Sequence, residues 1–147
     1  MARILSIDHI GLAVADGAAA AFWQALGLPC AGNEAVESEA VSVAFFPVGA
    51  TRLELLEPLG VEGAVQKFLA NRGEGVHHLC FAVDDLRGLL AQLTAAGVEL
   101  VNAEPRPGAE GSLVAFIHPR AAHGVLVELR QHGSPHEPTA GSDERIF

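Results

Sequence analysis

Cysteine is scarce in this chain. There are two, Cys30 and Cys80, and neither belongs to a C-x-x-C pair. That excludes a disulfide framework and a cysteine zinc clip, and both residues are expected to be free, buried thiols. Basic residues are few: nine Lys and Arg stand against eighteen Asp and Glu, a formal charge of −9. The nine are scattered, whereas a nucleic-acid footprint is basic and clustered. No apolar run approaches the roughly 18 residues a membrane helix needs. The N-terminus, Met1-Ala2-Arg3-Ile4, meets Asp8 too early for a signal peptide, so the cytoplasm is the expected compartment. Charge is also modest, at 18% of residues against 50% hydrophobic, which excludes a disordered chain. What remains is an ordinary globule of 147 residues, enough for one domain with a real core.

In chain order, residues 3–15 alternate as a strand, with His9, Gly11 and Ala13 on one face and Ile10, Leu12 and Val14 on the other. Asp16 is a candidate cap for a helix over 18–26, with Phe22, Trp23 and Leu26 available for packing and Gly27 as the stop. A weak strand over 30–39, strands over 41–48 and 51–57, and a turn at Gly49-Ala50 complete a first module, about 3–58. A linking helix is expected over about 62–72. The second module, about 75–131, repeats the order: a strand over 76–83, a cap at Asp84 or Asp85, and a helix over 86–96. A short strand over 98–101, a Pro/Gly loop over 105–111, and strands over 113–117 and 124–130 follow. Residues 132–147 lack periodicity and are expected to be a disordered tail.

The modules superimpose in sequence. His9 matches His78 at a spacing of 69, Gly27 matches Gly97 at 70, Ala44-Phe45 matches Ala115-Phe116 at 71, and Glu54 matches Glu128 at 74. The slow growth is what small loop insertions produce, and it makes the chain two β-α-β-β-β units in tandem. Each unit has a His in its first strand and a Glu in its last, within Leu53-Glu54-Leu55 and Val127-Glu128-Leu129. An unpaired buried carboxylate is costly, and a metal ion would compensate it. His78 shares its face with Cys80 and Ala82, so both histidines line faces of small residues with room for a ligand. His77 falls on the bulky side and is the poorer ligand. Two His and two Glu suit one divalent cation, such as cobalt, nickel, manganese, magnesium, iron or zinc, with positions left for water or substrate.

These residues carry a resemblance. Ile7-Asp8-His9-Ile10-Gly11, Leu53-Glu54-Leu55-Leu56-Glu57-Pro58, Gly73-Glu74-Gly75-Val76-His77-His78, Glu104-Pro105-Arg106-Pro107-Gly108, Phe116-Ile117-His118-Pro119 and Gly124-Val125-Leu126-Val127-Glu128-Leu129 span nearly everything but the tail. Together they resemble the vicinal oxygen chelate (glyoxalase) superfamily and, within it, the methylmalonyl-CoA epimerase family. The resemblance implies an α+β fold of paired modules whose curved mixed sheets enclose a metal, with His9, Glu54, His78 and Glu128 as ligands. It implies a CoA thioester substrate, a homodimer, and interconversion of (2R)- and (2S)-methylmalonyl-CoA through a metal-stabilised enolate.

The resemblance gives Glu128 two jobs, ligand and proton-transfer group. Some family members carry a second Glu, and the matching position here is Ser42, a weak base unless activated. His118 and His123 are further candidates for holding the substrate, and Arg106 and Arg120 for meeting CoA phosphates. Two other activities share the fold: a glyoxalase I-type lyase acting on a glutathione hemithioacetal, and a metal-free ligand-binding protein of the drug-resistance type. The loop motifs favour the epimerase over the first, and the intact ligand set argues against the second.

Overall fold

A computed structural model describes residues 1–133. It holds three helices and eight strands among the described residues: β1 (Ile4–Ala13), α1 (Ala19–Ala25), β2 (Gly32–Val36), β3 (Val41–Val48), β4 (Thr51–Pro58), α2 (Ala64–Arg72), β5 (Gly75–Val83), α3 (Leu86–Ala95), β6 (Arg106–Pro107), β7 (Leu113–Ile117) and β8 (Leu126–Gln131). The order is the expected α+β repeat, β-α-β-β-β twice with a helix between. No helix among the described residues is long and apolar enough to cross a membrane. The chain divides into two compact units, and the boundaries fall inside β1 and β5.

The unit His9–His78 carries the strand order β2-β3-β4-β1. β2, β3 and β4 form an antiparallel meander, and β4 runs parallel to β1 with Gly11 opposite Glu54 and Ala13 opposite Leu56. Alternation sends side chains to two faces. One face joins Ala13, Val41, Val43 and Leu56 to Val65, Phe68 and Leu69 of α2. The other joins Phe46, Leu55 and Leu53 to Ala19, Ala20 and Trp23 of α1. Only Trp23 of the three expected α1 contacts is in the core. Phe22 is 58% and Leu26 61% exposed, because a helix of two turns turns only one flank inward. Asp16 does not cap from the N-cap position; Ala18 stands there, and the Asp16 carboxylate accepts the Ala18 N–H at 2.8 Å.

The other unit, Met1–Asp8 with the chain from Leu79 on, carries the order β5-β8-β7-β6. Val83, Leu86, Leu90, Ala115, Val127 and Leu129 form its core, with α3 laid on β7 and β8. Asp85 caps α3 by accepting the Gly88 N–H at 3.0 Å. The strand expected over 98–101 is only a single bridge between Leu100 and Ile117. Asn102 explains this: its side-chain oxygen accepts the Phe116 N–H at 2.9 Å, a bond that a longer ladder would use. The second strand of this module is instead β6, inside the stretch expected to be loop. Of the expected tail, His132 Nε2 lies 2.6 Å from Asp8 Oδ1, and residues 134–147 lie outside the described residues.

Gly11 ties the first unit's fold to its histidines. A Cβ built there would overlap the His78 ring. Gly11→Ala is therefore expected to overpack the face and cost about 1–3 kcal/mol, read as a lower melting temperature together with shifted His78 side-chain NMR signals.

Candidate metal centre

Strand parity buries His9 with Gly11 and Ala13 while Ile10 and Leu12 stay half-exposed. The missing side chain at Gly11 is filled by the imidazole of His78. Here the expectation from sequence is corrected: at that position the small residue makes room for the second histidine, not for a ligand. His78 is fully buried and His9 3% exposed. Their Nε2 atoms face each other at 2.9 Å with the rings nearly perpendicular.

The outer nitrogens of both rings are engaged too. His9 Nδ1 lies 3.4 Å from Glu54 Oε2. His78 Nδ1 lies 2.9 Å from Nδ1 of His77. A carboxylate can only accept, so Glu54 draws the His9 proton to Nδ1 and leaves a lone pair on Nε2. A proton on His78 Nδ1, donated to His77, leaves His78 Nε2 in the same state. Between two lone pairs at that distance there must lie either a proton or a metal ion. Nitrogen ligands about 2.1 Å from an octahedral ion and at right angles stand about 3.0 Å apart, close to the observed 2.9 Å. The donor set thus fits a divalent ion with mixed nitrogen and oxygen ligands.

Glu54 is 1% exposed, and its charge is not left to a metal alone. Arg52, two residues back on the same face, donates Nε to Glu54 Oε2 at 2.9 Å and lies 4.9 Å above the Phe45 ring. Arg52 was missed in the sequence, although its i, i+2 spacing from Glu54 was a visible signal. His77 is buried as well, edge-on to Phe68 of α2 with ring centroids 5.1 Å apart.

In the other unit Glu128 is 7% exposed on β8. Cys80 donates its S–H to Glu128 Oε2 at 3.4 Å. Burial, and then the Glu128 charge, push the Cys80 thiol far up, so it stays protonated and serves as a donor. Arg130 follows on the same face, 4% exposed. Its Nη2 donates to the Ala109 carbonyl at 3.1 Å, with carboxylates of Glu110 at 3.6 Å and Asp8 at 3.8 Å. The alternation Glu128-x-Arg130-x-His132 was legible as a polar face and was passed over.

Each of the three expected substrate contacts has its place within its own unit. Ser42 pairs across β3–β4 with Glu57, whereas Glu54 pairs with Phe45. Odd and even positions face opposite ways, so Ser42 lies on the α1 side of the sheet, away from Glu54 and His9. His118 and His123 belong to the turn between β7 and β8. His118 Nδ1 accepts the Arg120 N–H at 3.1 Å, and His123 takes a left-handed φ of 56°. Arg120 pairs with Glu99 at 2.9 Å in solvent, and Arg106 is exposed on β6.

Burial lowers His77 from its ordinary 6.5 to about 4, so the folded protein holds it neutral. A depressed folded value means the unfolded chain binds the extra proton, and stability is lost as pH falls from 6.5 toward 4. The loss is on the order of 3 kcal/mol at most. Metal-free protein is expected to lose melting temperature over that window more steeply than its His77→Phe variant, measured by thermal unfolding at each pH.

Comparison with known proteins fits this arrangement. The Glyoxalase/Bleomycin resistance protein/Dioxygenase superfamily model matches residues 8–116. The human mitochondrial methylmalonyl-CoA epimerase is 36% identical over 128 residues, 85% of this chain and 73% of that one. The ethylmalonyl-CoA/methylmalonyl-CoA epimerase of Cereibacter sphaeroides is 36% identical over 129 residues, 85% of this chain and 96% of that one. The solved structure of a variant of Streptomyces coelicolor methylmalonyl-CoA epimerase, in complex with 2-nitronate-propionyl-CoA, superimposes with a TM-score of 0.80 at 38% identity, covering 90% of this chain and 100% of that one. The chain belongs to the Glyoxalase/Bleomycin resistance protein/Dioxygenase superfamily and is an enzyme of its epimerase branch.

Proposed function

We propose that the protein interconverts (2R)- and (2S)-methylmalonyl-CoA in the cytoplasm as a homodimer, with one divalent cation held by His9, His78 and Glu128, and with Glu54, expected as a fourth ligand, holding the Nδ1–H of His9 instead. The observation that carries the chemistry is the buried pair of facing imidazole nitrogens, 2.9 Å apart, in a chain similar over most of its length to epimerases of this substrate. The cation's identity is one of cobalt, manganese, nickel, magnesium or zinc, all compatible with a mixed nitrogen and oxygen set.

The reaction removes a proton from a carbon flanked by a thioester and a carboxylate, then returns one to the opposite face. When bound, the cation supplies Lewis-acid stabilisation of the negative charge that develops on the thioester oxygen. His9 and His78 hold their nitrogens toward it, and Glu54, neutralised in part by Arg52, keeps His9 in the tautomer that can bind. Glu128 takes the proton on its carboxylate, which the Cys80 thiol orients through Oε2. Ser42 is on the wrong face of its sheet to return the proton, and in this reading water does so.

The test follows deuterium from heavy water into methylmalonyl-CoA with metal-loaded protein. Exchange is expected for the wild type and is expected to fall roughly 100- to 10,000-fold for Glu128→Gln. Ser42→Ala is expected to keep full exchange. Turnover of a methylglyoxal–glutathione hemithioacetal with none of methylmalonyl-CoA would overturn the assignment. A sedimentation mass that stays at the monomer across concentration would overturn the dimer.

A further inference from the structure

His77 has no part in the chemistry above, yet it is buried at 7% exposure and its ring touches the histidine most deeply enclosed in its unit. Neighbouring residues of a strand ordinarily point to opposite faces. Here the two rings nonetheless approach, Nδ1 to Nδ1 at 2.9 Å, with planes 88° apart. The His77 ring also meets Phe68 of α2 edge-on, and Phe68 is in turn covered by the Arg72 guanidinium at 5.6 Å. A linking helix thus presses an aromatic ring against His77, and His77 presents a nitrogen to His78.

We infer that His77 is a positioning residue for the metal ligand His78: it accepts the His78 Nδ1–H, fixes the tautomer that leaves Nε2 unprotonated, and stops rotation of the ring. This rests on the assignment of His78 as a ligand. The physical reason is general. A ligating imidazole needs its other N–H held by an acceptor, and loss of that acceptor typically weakens metal binding roughly 10- to 100-fold. His9 has a carboxylate in this role, Glu54. His78 has a neutral ring, which adds no second buried charge beside the first. The pair of histidines in the sequence is then a ligand and its orienting group, not two ligands and not a ligand beside a packing residue.

The test is cobalt(II) titration of the full chain, read by the visible absorption of the bound ion and by calorimetry. His77→Phe keeps the ring volume and the Phe68 contact but removes the acceptor. It is expected to weaken cobalt binding roughly 10- to 100-fold. His77→Asn, whose carbonyl oxygen can stand in for Nδ1, is expected to stay within a few-fold of the wild type. Equal affinity for wild type and His77→Phe, or an equal loss in both variants, would overturn the inference. A wild type that takes up no cobalt would instead overturn the metal assignment, and this inference with it. A second measurement needs no variant. Nitrogen-15 NMR of the wild type is expected to show His78 protonated at Nδ1 and His77 unprotonated there; a proton on His77 Nδ1 would overturn the inference even if His77→Phe fails to fold.

Discussion

Two imidazoles buried nose to nose constrain everything around them in the His9–His78 unit. At 2.9 Å between Nε2 atoms, either a proton or a metal ion must lie between the rings, since two lone pairs at that distance repel. Which state prevails is set by the far side of each ring. Glu54 stands behind His9 and His77 behind His78, and both are acceptors. The rest of the unit serves that chain of contacts. Gly11 must be glycine because His78 occupies the place of its side chain. Arg52 must accompany Glu54 because a carboxylate at 1% exposure cannot stand alone in charge. α2 must close on this face because Phe68 seats His77.

Much of this was visible in the sequence, for a physical reason. Period-two alternation is a local property, so the burial of His9 with Gly11 and Ala13, and of His78 with Cys80 and Ala82, followed from spacing alone. The repeat then matched Glu54 to Glu128, and both carboxylates are buried. The helices were found to within a residue or two because Gly27, Gly73 and Gly97 mark their ends. What escaped depended on pairing between strands. Ser42 was placed from its likeness to a family position. Its face is fixed by the β3–β4 register, which sets Phe45 and not Ser42 beside the Glu54 row. The strand expected over 98–101 failed for a similar reason: one side chain, Asn102, takes a backbone donor, and no alternation reports that.

His77 shows how a correct rule can mislead. Parity assigned it to the opposite face from His78, which made it the poorer ligand and gave it no part beside the better one. An imidazole is large enough to reach its neighbour's ring by its own width, so opposite faces do not mean separate environments. Burial then makes the contact directional. Desolvation holds His77 neutral near pH 7, since its value has fallen to about 4, and a neutral ring carries one nitrogen that accepts. The same substitution that removes a packing ring would remove an acceptor, which is why the volume-matched and the acceptor-matched variants answer different questions.

The surroundings of Glu128 solve a different problem by a different donor. In the proposed reaction Glu128 takes a proton and so must be basic, and strong donors to a carboxylate make it less so. Serine, asparagine or a backbone N–H in place of Cys80 would hold the anion more firmly. A thiol is a weak donor, it buries at little cost among apolar groups, and the pressure of burial and of Glu128 itself keeps its proton in place. Cys80 therefore orients the carboxylate through a weak donor. Arg130 stands on the same face, yet its guanidinium is directed to the Ala109 carbonyl and shared with the acidic groups of Asp8 and Glu110. Its charge is already distributed among other partners, so it does not compete with the weak hold of the thiol. The absence of any cysteine pair in the sequence pointed away from disulfide and zinc-thiolate roles. The role Cys80 has, a lone protonated thiol bonded to a buried carboxylate, is the one such a cysteine is chemically suited to fill.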